Sequence, residues 1–154
     1  MGWKSLPQPA RAIAVAAVAA VDAATRRDAE ALEAAALALT AADGSGLVLG
    51  LVVRLRLEEM FPDGVDGDGA RAVLEGCVRS AAEWLPEVDP QVVLVLLASA
   101  WGVHDPGEQP DGPDAKELAR HGPLLVAHVL AGAPLEGYLA DAFAEIRRGE
   151  LNDH

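Results

Sequence analysis

This chain has little of what catalytic and cofactor-binding proteins are usually built on. Aromatic residues make up 4% of its 154 positions, and Cys77 is its one cysteine. A shortage of aromatics leaves few broad walls for a ligand cavity and weighs against a cofactor site. One cysteine excludes an internal disulfide and any CxxC centre, and with no sign of an oxidising compartment the expected location is the cytoplasm. No G-x-S-x-G, phosphate-binding glycine loop, dinucleotide fingerprint or HExxH occurs. No apolar run reaches the roughly 18 residues of a membrane span. The stretch from Ile13 to Val21, preceded by Lys4 and Arg11, imitates a secretion signal. It is mostly alanine, and we expect it to belong to the fold.

Positive charge is also scarce. Twelve Lys and Arg stand against 24 Asp and Glu, a formal net charge of -12, which argues against nucleic acid and anionic membrane as partners. The distribution is uneven: residues 1–61 hold six basic and seven acidic side chains (net -1), residues 62–154 six and seventeen (net -11). The second part should form a negative surface able to attract cations or a basic protein partner.

What is abundant is Ala, Leu and Val; hydrophobic residues reach 51%. A chain of this length suits one domain with a core that needs no disulfide or structural metal. The expected domain spans 1–154, with an arm at 1–8, where Pro7 and Pro9 forbid a helix, and a tail at 150–154. Between them the pattern predicts an all-α fold, a compact bundle of six or seven short helices around a buried central helix at about 90–102. That helix, VVLVLLASAW from Val92 to Trp101, is apolar on every side; Asp89 and Pro90 suit its start and Gly102 its end.

Other boundaries follow from local signals. The Ala-rich run from Ala10 to Ala42 divides near Thr25 and Asp28. Leu47 to Phe61 reads as a helix stopped by Pro62, although Val53 to Glu58 alternates like a strand, and the strand reading would give a small α/β fold instead. Asp68 is placed to cap a helix from Ala70 to Leu85, whose Arg71, Glu75, Arg79 and Glu83 form a charge ladder. Gly122-Pro123 should break or kink the helix after Pro113, and Leu135 to Arg148 forms the last one, ended by Gly149.

Two groups of residues bear on chemistry. His104, Asp105 and Glu108 lie in a loop of about a dozen residues, and His121 and His128 follow on helices; together they offer imidazoles and carboxylates for a divalent metal such as zinc. None of the dense metal spacings is present, so packing and capping roles for these residues weigh more heavily. Asp63, Asp66, Asp68 and Glu75 fail the calcium-loop pattern, because a carboxylate is missing at the fifth and twelfth places, and they read as a capping turn. Cys77 sits on an apolar stripe as a small buried hydrophobe.

The reading that follows is a non-catalytic, acidic α-helical interaction module. It self-associates, since the apolar residues of the first helix and of Leu47 to Leu57 exceed what one central helix can cover, and it binds a basic protein partner. The alternatives are a divalent-metal-binding protein or metal-dependent enzyme using the 104–128 region, and a small-molecule sensor domain.

Overall fold

The computed structural model describes residues 10–102 and 112–152. The arm at 1–8 and the residues His104, Asp105 and Glu108 lie outside the described residues. The described residues form seven helices and no strand: α1 (Ala10–Thr25), α2 (Ala29–Ala41), α3 (Ser45–Met60), α4 (Gly67–Ala82), α5 (Pro90–Gly102), α6 (Ala115–Leu130) and α7 (Leu135–Asn152).

Aspartates start most of these helices, for one physical reason: a carboxylate accepts a first-turn N–H that has no partner within the helix. Asp28 takes the N–H of Ala31, Asp89 that of Gln91 at 2.9 Å, and Asp114 that of Glu117 at 2.9 Å. At α4 the cap is Asp66, which accepts from Gly69 at 2.7 Å; Asp68, the expected cap, lies within the first turn. The carboxylate that wins is the one whose backbone is still extended, with φ -89 and ψ 179. The expected ladder on α4 is also rearranged, for Glu83 reaches across to Arg27 at 3.4 Å.

The Ala10–Ala42 run divides where expected, by a different device from a Thr25 cap. Asp28 N–H donates to the carbonyl of Ala23 and Arg27 N–H to that of Ala24, at 2.9 and 3.1 Å, which closes α1 with a Schellman motif. The left-handed position in that motif, usually glycine, is Arg27 at φ 58. A side chain there costs about 1 kcal/mol.

The segment with the strand-like alternation is α3. It is a helix because neighbours lie on several sides: it packs on α1, α5, α6 and α7, and Val48, Leu49, Leu51, Val52, Val53 and Leu57 are all buried. Its two arginines leave in different directions. Arg54 pairs with Glu58 one turn on, while Arg56 donates from Nε to the carbonyl of Val129 at 2.9 Å, near the end of α6. The Arg56 guanidinium also donates to the Tyr138 hydroxyl, which in turn donates to Glu59.

The helix at 90–102 has the expected bounds, but it is not the centre of the bundle. Val92, Val93, Leu96, Leu97 and Ala100 are buried, whereas Leu94 and Trp101 are each 44% exposed. The central element is α6, which packs against α1, α2, α3, α4 and α5 and buries a continuous run from His121 to Val126. Gly122-Pro123 does not break it. A proline inside a helix costs about 3 kcal/mol, and here the ring is fully buried among helices that hold the segment together. Gly122 serves this packing, because a Cβ there would meet Leu49 Cδ1 at 3.1 Å.

At the other end, α7 runs through Gly149 to Asn152, into the stretch expected to be a tail. A glycine inside a helix costs only about 1 kcal/mol relative to alanine. Buried side chains from all seven helices join in one core.

Candidate functional site

Of the five residues considered as metal ligands, the structure describes His121 and His128. Both lie on α6, and because the helix is continuous they share one side of it. Seven residues of helix separate them by roughly 10 Å along the axis, too far for two imidazoles to hold one ion at ~2 Å each. Their surroundings differ as well.

His121 is 2% exposed and fully committed. Its Nε2 accepts the backbone N–H of Asp89 at 2.9 Å, and its Nδ1 lies 2.8 Å from the carbonyl of Glu117, one turn back. An acceptor at Nε2 requires a lone pair there, so Nδ1 carries the proton and donates it. Both nitrogens are used, and no lone pair is left for a metal. The ring ties α6 to the start of α5.

His128 is half-buried, and burial pushes its pKa below the usual histidine range. The ring edge lies over Gly76 on α4: a Cβ at that position would sit 2.9 Å from both Cε1 and Nε2. Among the described residues no group of three or more His, Cys, Asp or Glu is placed to hold a metal ion. Cys77, beside Gly76, is 1% exposed, and burial pushes its thiol up to about 12.

The surface points instead to α1 and α2. The apolar surplus of Leu47 to Leu57 is absorbed into the core, but that of the Ala-rich helices is not. Between α1 and α2 runs a shallow outward groove of about 510 Å³ with Val15, Ala19, Ala38 and Ala41 in its walls. Val15 is 48% exposed, and Leu37, one turn from Ala41 along α2, is 61% exposed. Small residues make this face flat, so another helix can approach it closely. Arg11 stands at one end of the groove.

A second apolar stripe, Leu94, Ala98 and Trp101, lies on the outer side of α5 at helical spacing and ends beside residues outside the described ones. Sequence reasoning located the excess on the first helix but missed the part α2 plays. The signal was present in Ala34, Leu37, Ala38 and Ala41, whose spacing places them on the side of α2 away from buried Leu32, Ala36 and Leu39.

No single helix among the described residues is long and apolar enough to cross a membrane. No protein-family model matches the chain, and no curated protein or solved structure is significantly similar to it.

Proposed function

We propose that this chain is an α-helical interaction module that pairs with a second copy of itself through the outer face of α1 and α2, and presents its acidic half to a basic protein partner. The observation that carries the reading is the exposure of Val15 and Leu37 beside an alanine-lined groove. Exposed apolar surface of this kind favours a protein interface. Charge selects the occupant. The α1–α3 half of the sequence is close to neutral, whereas residues 62–154 carry -11, so two copies repel least when they meet through α1 and α2. That arrangement leaves the acidic part outward, where a basic partner is drawn by a field that salt screens. A cytoplasmic setting suits a chain whose one cysteine is a buried thiol.

Light scattering on the eluting protein tests the pairing. The expected mass is twice 16.0 kDa. Val15→Glu and Ala38→Glu should each give a folded monomer, while Trp101→Glu on α5 should leave the dimer intact. A monomer for the parent chain at high micromolar concentration, or a dimer indifferent to both α1–α2 variants, rules the reading out.

A further inference from the structure

A second feature is independent of the α1–α2 face. Where the end of α1 meets α4 and α6 there is a cavity of about 220 Å³, with Thr25, Arg27, Ser80, Trp84, Leu124 and His128 among its walls. Its polar groups are mostly donors. Arg27 Nη2 reaches Ser80 Oγ at 3.3 Å and Glu83 Oε1 at 3.4 Å, both loose contacts, and its other N–H groups have no partner among the described residues. The Ser80 hydroxyl accepts from Arg27 and keeps its own proton to donate. His128 has no hydrogen-bond partner among the described residues, and its side chain forms part of the cavity wall. Thr25 donates its hydroxyl proton to the carbonyl of Val21 at 2.8 Å, and the rest of the lining, with Leu124, Ala81 and the Trp84 ring, is apolar.

Arg27 itself is the telling residue. It occupies the left-handed position of a Schellman motif, where glycine would relieve the backbone. Its contacts with Ser80 and Glu83 do not repay that strain, since the Arg27 and Glu83 side chains are 49% and 54% exposed and such pairs contribute little. Strained side chains that their own contacts do not justify concentrate at binding sites. The room for His128 is also built in, because only a glycine at position 76 lets the imidazole lie against α4.

We propose that this cavity is a binding site for a small organic monocarboxylate, with Arg27, Ser80 and His128 holding the carboxylate and Trp84 and Leu124 covering the apolar body. An arginine supplies the planar fork that a carboxylate matches, and a serine and a neutral histidine add one donor each. The volume equals about seven waters at ~30 Å³ each, which suits a ligand of roughly ten heavy atoms or fewer. Glu83 at the rim competes with the ligand for Arg27.

The test is a titration of the full chain with benzoate, benzamide and inorganic phosphate, read from the Trp84 indole and His128 ring resonances. Benzoate should saturate both signals, with benzamide weaker by at least about tenfold, the ratio expected for losing one charge-assisted contact. Arg27→Gly should melt at a higher temperature than the parent and lose benzoate by about tenfold or more. This variant keeps the test independent of folding. Glu83→Gln should bind benzoate more tightly. The proposal is overturned if benzoate gives no saturable shift at tens of millimolar, if Arg27→Gly binds it unchanged, or if phosphate binds more tightly than benzoate.

Discussion

The Nε2 atom of His121 accepts the backbone N–H of Asp89 at 2.9 Å across 32 residues of chain, while its Nδ1 is held by the carbonyl of Glu117 at 2.8 Å. A residue that reads in the sequence as a metal ligand is here a buried clamp. His121→Ala would leave a buried donor and a helix carbonyl without partners, each penalised. The expected loss is about 2–3 kcal/mol in urea unfolding. The loss should be the same with EDTA as with added zinc, and larger than that of His128→Ala, which breaks no hydrogen bond among the described residues. A loss that appears only when zinc is present would restore the metal reading of this residue.

Acid should weaken the fold through His128. Burial lowers its folded pKa below the unfolded value, so its neutral form contributes stability that is complete above the ordinary histidine range. As pH falls through the unfolded pKa and on through the folded one, that contribution is lost. Melting temperatures between pH 8 and pH 5.5 should therefore decline, and His128→Gln should show a shallower decline over the same range. Parallel profiles for parent and variant would refute the assignment.

Cys77 should be silent towards thiol reagents in the native state. With its thiol pushed up to about 12, only about one molecule in ten thousand is thiolate at pH 8, and 1% exposure blocks access besides. Ellman's reagent should react at the rate of unfolding and become fast in urea. Rapid modification without denaturant would show that the wall formed by α4 and α6 opens readily.

Ala131 offers a stabilising change. It follows α6 with φ 49, and its N–H donates to Ala127 at 3.2 Å, the left-handed cap that glycine fills without strain. Ala131→Gly should add about 0.5–1 kcal/mol in urea unfolding, net of the freedom glycine gains in the unfolded chain. A destabilised variant would mean the cap is held by something other than backbone strain.

Helix boundaries were largely legible because they are written locally. Asp89 stands next to the group it satisfies and is read as a cap from its neighbours alone, whereas the helices that Asp28 and Asp114 cap are placed to within a few residues by Thr25 and Pro113. What is settled by packing was not legible. Gly122-Pro123 is a strong local breaker, and only the surrounding helices override it, so the sequence pointed to the more apolar α5 and away from α6 as the centre. Asp66 and Asp68 differ as caps by backbone conformation alone. The cavity was invisible for a similar reason: Arg27, Ser80 and His128 are each unremarkable at their own positions, and the fold brings them together from three distant parts of the chain. Nothing within Thr25 to Asp28 announces that an arginine will take a glycine's place.

The position of α6 also bears on the birth of the molecule at the ribosome. The helix that α1, α2 and α3 lean on ends at Leu130, so until that residue is made those helices exist without the full surface that covers them. The early chain has only the α1–α2 hairpin and the first contacts of α3 to hold it, and closure must wait for partners some ninety residues away. A chain stopped at Gly102 would have α5 against α3 but would leave bare the sides of α1, α2 and α3 that α6 covers, and a translational pause there would prolong the interval in which a nascent chain is most prone to stick to another.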